Sequence, residues 1–148
     1  MKQQPQCYIL SANQTGLCQN ENEQRHKSLI NALQTMGATK DVEGVWKGKR
    51  EMSVVFVPWP ECNHEDVQRV LRIYSQECAI FLGSDREAYI LPASGPLDHI
   101  GPFQEVSKSR ALEESSYTLD NGRYYVAKER IASAVGAYKS IERKRQSI

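Results

Sequence analysis

At 148 residues, 40% of them hydrophobic and 25% charged, the chain has the length and composition of one ordinary globular domain and little room for two. Its 19 Lys and Arg against 18 Asp and Glu leave a formal charge of +1, which excludes an acidic nucleic-acid mimic and gives no global reason for a polyanion partner. No apolar run approaches the roughly 18 residues of a membrane span, and residues 1–6 lack a signal-peptide core, so a cytoplasmic protein is expected.

Residues 6–12 are short, apolar and partly alternating, and they predict a first strand that Asn13-Gln14-Thr15-Gly16 breaks. Leu29, Ile30, Leu33 and Met36 recur at helical spacing, predicting a helix over 22–36 that starts within 20–22 and has Gly37 as its C-cap. Residues 38–47 lead on through Val42, Val45 and Trp46, with Gly44 and Gly48 between and after them. The strongest strand signal follows at Met52-Ser53-Val54-Val55-Phe56-Val57. Asn63 with Asp66 three residues on marks a capped helix start, and Val67, Val70, Leu71 and Tyr74 line one face. Residues 78–82 and 88–91 predict two strands about the turn Gly83-Ser84-Asp85. The order strand, helix, strand, strand, helix, strand predicts a ferredoxin-like α+β fold, an antiparallel sheet with two helices on one face. A second chain is one economical cover for the other face.

Residues 92–116, rich in Pro, Gly and Ser, predict a partly irregular excursion. Asp120-Asn121-Gly122 predicts a hairpin turn between short strands. Residues 127–148 predict a C-terminal helix in which six Lys and Arg stand against Glu129 and Glu142, a second segment after a core domain over 1–126.

The chain contains no Gly-rich phosphate loop and no nucleophilic serine in a GxSxG context. The four cysteines show no CxxC spacing and are expected as reduced thiols, with Cys7 and Cys78 buried in strands. Cys62-Asn63-His64 offers two metal ligands where zinc needs more, so no metal site is expected. Glu51 stands at the entry to an apolar strand beside glycine-flanked Trp46. That is either a half-buried, tuned carboxylate or a solvated strand end paired with Lys49 or Arg50. Gln76-Glu77 lies in the connection before a strand, where ligands often bind. Asn22, Arg25 and His26 fall on the first turns of the first helix, where an N-terminus favours an anion. The plainer reading is an Asn22 cap and a surface arginine.

Taken together, Tyr8-Ile9-Leu10-Ser11-Ala12, Leu17-Cys18, Asn22-x-x-Arg25-His26, the strand opened by Glu51, Gln76-Glu77-Cys78, Gly101-Pro102-Phe103-Gln104-Glu105-Val106 and Tyr117-Thr118-Leu119-Asp120 resemble the small bacteriophage S-adenosylmethionine lyases. The resemblance spans residues 7–126. It implies a ferredoxin-like trimer with active sites at subunit interfaces. It also implies cleavage of S-adenosylmethionine to methylthioadenosine and homoserine lactone without cofactor or metal, which depletes the host cell's methyl donor. The family's catalytic glutamate falls on Glu51, its site glutamine on Gln76, and its Gly-x-Tyr tyrosine on Trp46, which has no hydroxyl. Ser11, Asn22, Arg25 and Gln104 are expected as secondary substrate contacts. The competing reading is a trimeric sensor that binds an adenosine-containing ligand without turnover. A nucleic-acid partner for the basic tail is not expected, because the core is net acidic and lacks an aromatic-studded basic surface.

Overall fold

A computed structural model describes residues 6–46, 48–114 and 116–127. Its elements in chain order are β1 (Cys7–Leu10), α1 (Gln19–Leu33), β2 (Gly37–Trp46), β3 (Lys49–Pro58), α2 (His64–Ile73), β4 (Cys78–Leu82), β5 (Glu87–Pro92), β6 (Asp98–Val106), α3 (Lys108–Glu113), β7 (Tyr117–Asp120) and β8 (Arg123–Ala127). The strands close into one antiparallel barrel in the order β1-β3-β2-β7-β8-β6-β5-β4, with β4 pairing back onto β1.

This closure overturns the ferredoxin-like expectation. The first six elements occur in the predicted order, but the sheet does not end at β2 and β4. β7 adds to β2 and β5 adds to β4, and β8 and β6 bridge the gap between them. The face that seemed to need a second chain is therefore the barrel's own interior.

Two apolar cores follow from the pleat, since successive side chains of a strand point to opposite faces. Tyr8 and Leu10 of β1 face outward with Val54 and Phe56 of β3, under Leu29 and Leu33 of α1 and Val67, Val70 and Leu71 of α2. Cys7 and Ile9 face inward with Leu82, Ala88 and Ala127, joined by Val55, Val57, Ile80 and Phe103. β1 is buried on both faces, so it reads as a continuous apolar run rather than a clean alternation.

Several boundaries moved. α1 starts at Gln19 after Cys18, which provides no side-chain cap, so Asn22 lies inside the helix. Gly37 does not cap α1 but opens β2, a ten-residue strand. A Cβ on Gly37 would lie 2.2 Å from the Val57 carbonyl oxygen, and this close strand crossing requires glycine. The predicted cap of α2 is a full capping box: Asn63 Oδ1 accepts from Asp66 N–H and Asp66 Oδ2 from Asn63 N–H, both at 3.0 Å. The excursion over 92–116 contains β6 and α3, and β6 is an integral barrel strand. The β7–β8 hairpin turns at Asn121 and Gly122, both with positive φ (52° and 77°), as an Asn-Gly turn requires. Ala127 ends β8 rather than beginning a helix, and the basic tail over 128–148 lies outside the described residues. Among the described residues no helix is long and apolar enough to cross a membrane.

Candidate active site

The interior packing changes character along the barrel. On β3 the inward positions run Val57, Val55, Ser53, Glu51, and on β1 they run Cys7, Ile9 and then Ser11. On β2 they pass from Val42 to Gly44 and Trp46. Small and polar side chains thus replace the apolar filling at one end, and a cleft of about 400 Å3 opens there. It is lined by the ends of β1, β2, β3, β4 and β7 and by the two loops over 11–15 and 75–77.

Four of the sequence-predicted residues meet in this cleft: Glu51, Gln76, Trp46 and Ser11. Glu51 pairs across the ladder with Gly44 and makes no hydrogen bond or ion pair with a described residue. The solvated-pair alternative fails, because the Arg50 guanidinium lies instead on Glu43 at 2.9 Å and no contact joins Glu51 to Lys49. Burial pushes the Glu51 carboxyl above the ordinary carboxylate value. A half-buried carboxylate with no counter-charge among the described residues is costly to the fold and suited to a cationic ligand.

Gln76 is held at the start of β4 by the way α2 ends. Ser75 adopts φ 55°, Ser75 N–H reaches the Arg72 carbonyl at 3.1 Å, and Gln76 N–H reaches the Leu71 carbonyl at 2.8 Å. This is the Schellman pattern, with serine in the left-handed position glycine usually takes. The Gln76 side-chain amide then donates to the carbonyls of Asn13 (2.8 Å) and Tyr74 (3.1 Å). Its two N–H bonds are spent, so the polar atom it offers the cleft is Oε1, an acceptor. Ser11 is likewise committed: its hydroxyl donates to the Met52 carbonyl at 2.8 Å and accepts from Asn13 N–H at 2.9 Å.

Asn22, Arg25 and Gln104 do not line the cleft. Asn22 is buried; Nδ2 donates to the Gln14 and Leu17 carbonyls and Oδ1 accepts from Gln14 N–H at 2.9 Å, fastening the loop whose Asn13, Gln14 and Thr15 form the cleft wall. Arg25 Nε donates to the Ala12 carbonyl at 2.6 Å and Nη2 to the Tyr74 carbonyl. Both residues shape the rim from behind. Gln104 alternates with inward-facing Phe103 on β6 and is exposed on the outside of the barrel. Sequence reasoning passed over Ser53 and Thr118, buried polar residues facing the cleft (5% and 4% exposed). Their only local signal is a hydroxyl inside an otherwise apolar strand run, and which face it takes depends on closure.

Of the Cys62-Asn63-His64 triplet, His64 Nδ1 is hydrogen-bonded to the Tyr8 hydroxyl at 2.6 Å. Among the described residues no group of three or more His, Cys, Asp or Glu is placed to hold a metal. Cys7 is buried in the barrel interior as expected, whereas Cys78 is only half-buried and lines the cleft.

No curated protein matches the chain. A sequence model of the S-Adenosylmethionine lyase family does match, over residues 8–128, which takes in the strands but for Cys7, both cleft loops and every cleft residue named above. With that match over most of its length, the chain belongs to the S-adenosylmethionine lyase family.

Proposed function

We propose that the chain cleaves S-adenosylmethionine into methylthioadenosine and homoserine lactone by intramolecular attack. A substrate carboxylate oxygen forms a bond to the γ-carbon, the bond from that carbon to sulfur breaks, and its electron pair leaves on a neutral thioether. Atoms balance without water, metal or cofactor. The observation that carries the reading is half-buried Glu51, with no ion pair among the described residues, in one cleft with Gln76 and inside the family match.

The substrate brings its own nucleophile and leaving group, so the protein's task is to fold it into the closing conformation, worth several kcal/mol through proximity and orientation. The carboxylate and sulfonium charges both vanish as the ring closes, so a water-poor site favours the transition state over the charged ground state. A carboxylate against the sulfonium would stabilise the charge being destroyed and would oppose the reaction. Glu51 therefore takes the ammonium, with Gln76 Oε1 accepting a second ammonium hydrogen, and the amino-acid half is held while its carboxylate swings. Trp46 forms an aromatic wall for the adenine.

The homotrimer with interfacial sites belongs to the same proposal and now rests on the resemblance alone, since closure removes the uncovered sheet face. Depletion of the methyl donor in a host cytoplasm, with an anti-restriction effect, is the consequence of such turnover. The test is incubation of the purified chain with S-adenosylmethionine and a chelator in oxygen-18 water. Methylthioadenosine and a lactone without solvent oxygen in its ring are expected. Bound but unconverted substrate would make the protein a sensor, label on the homoserine hydroxyl would make it a hydrolase, and loss of activity with chelator would overturn the metal-free reaction.

A further inference from the structure

Glu51 of β3, Gly44 of β2 and Thr118 of β7 form one transverse row across three strands. Two strand spacings put the outer two backbones about 10 Å apart. Gly44 in the middle has no side chain, and a Cβ there would fall 2.5 Å from Ser53 Oγ. The glycine therefore leaves a trough, with the carboxylate on one bank, the Thr118 hydroxyl on the other and the Ser53 hydroxyl in the bed. Neither hydroxyl hydrogen-bonds to a described residue, although both residues are more than nine-tenths buried. Both side chains open onto the cleft, so their donor and acceptor capacity is available to a ligand there.

We propose that Ser53 and Thr118 form the subsite for the α-carboxylate of the substrate's amino-acid half. This rests on the lyase reading above. The ammonium and carboxylate of an α-amino acid share one carbon, so a head anchored on Glu51 brings its carboxylate over Gly44. Neutral hydroxyls suit a nucleophile that loses its charge in the reaction: they orient it without the ground-state stabilisation that a bound cation would give. The cleft's Lys49 is exposed, unlike the buried Ser53 and Thr118.

The test compares the parent with Ser53→Ala, Thr118→Val and Thr118→Ser. It reads kcat/KM on S-adenosylmethionine and inhibition constants for methylthioadenosine and decarboxylated S-adenosylmethionine, which both lack the carboxylate. Ser53→Ala and Thr118→Val should each lower kcat/KM by about tenfold, the worth of one hydrogen bond to a charged group. Both inhibition constants should stay within about threefold, and Thr118→Ser, which keeps the hydroxyl, should lose less kcat/KM than Thr118→Val. Inhibition constants that rise in step with the loss, or kcat/KM within about twofold of the parent, would overturn the subsite. If the parent converts no substrate, the lyase reading fails by itself. The subsite is then decided by the same ratio in equilibrium binding of S-adenosylmethionine and its decarboxylated form.

Discussion

Arg25 and Gln76 donate to the same atom, the carbonyl oxygen of Tyr74. Tyr74 is the C-cap of α2, where carbonyls lack intrahelical partners and the helix dipole is negative, so a guanidinium is well placed there. The guanidinium also lies 5.9 Å from the centre of the Tyr74 ring, and the Tyr74 hydroxyl is 2.6 Å from Ser28 Oγ, one turn along α1. Helix α1 thus grips the end of α2 by carbonyl, ring and hydroxyl, and Gln76 is aimed from that fixed point. No carboxylate pairs with Arg25 among the described residues, so its charge is met by backbone carbonyls alone.

Arg25→Met should strand the Ala12 carbonyl, leave the Tyr74 carbonyl to Gln76 alone and lower stability by about 2–4 kcal/mol, two charge-assisted hydrogen bonds' worth, read by chemical denaturation. Turnover should fall with it, because the Tyr74 carbonyl that aims Gln76 loses its tie to the Ala12 loop. Arg25→Lys should recover only part, since an ammonium lacks the fork that spans both carbonyls. Full recovery by lysine would show that charge rather than geometry holds the two loops.

Glu51→Gln should lower turnover by roughly 10²–10⁴-fold and change methylthioadenosine affinity little. Kinetics and calorimetry on the same preparation give both values. The parent's acid limb of kcat/KM should lie above the ordinary carboxylate range, because burial raises the Glu51 pKa and the ionised form is the active one. The variant should lose that limb.

The same shift has a stability consequence of opposite sense. A carboxyl whose folded pKa exceeds its unfolded value binds its proton more tightly in the folded state. Its contribution is therefore present below the unfolded pKa and is lost as pH rises through the folded pKa. At neutral pH ionised Glu51 is a cost, and Glu51→Gln should raise Tm there while lowering turnover. A lower Tm at neutral pH would mean that Glu51 has a stabilising partner.

Ser75→Gly should stabilise the fold by about 1 kcal/mol, the cost of an L-residue in the left-handed region. Denaturant midpoints decide it. An unchanged or lower midpoint would mean that the added freedom of glycine in the unfolded chain cancels the relief.

Gly37→Ala should destabilise by about 3 kcal/mol or more. Its Cβ would meet the Val57 oxygen at 2.2 Å and the Pro58 Cα at 2.8 Å, both backbone atoms that cannot swing aside. A variant within about 0.5 kcal/mol of the parent, the range of neutral surface changes, would show that β2 and β3 separate easily at this crossing.

What is local was legible in the sequence. The Asn63–Asp66 capping box, the Asn121-Gly122 hairpin and the strands about Cys7–Leu10, Cys78–Leu82 and Glu87–Pro92 each follow from a few neighbouring side chains. The ordered motifs from Tyr8 to Asp120 carried the family resemblance, and with it Glu51, Gln76, Trp46 and Ser11 to a common cleft. Barrel closure was not legible, because β2 meets β7 and β8 meets β6 through backbone hydrogen bonds that any residues except proline can make. Closure decides which face of each strand is inside. It turned Gln104 outward, brought Ser53 and Thr118 to Gly44, and set Asn22 and Arg25 to hold loops rather than substrate. A polar side chain reads the same in sequence whether it faces a ligand or a backbone carbonyl; only the atom that tertiary structure places within 3 Å of it decides.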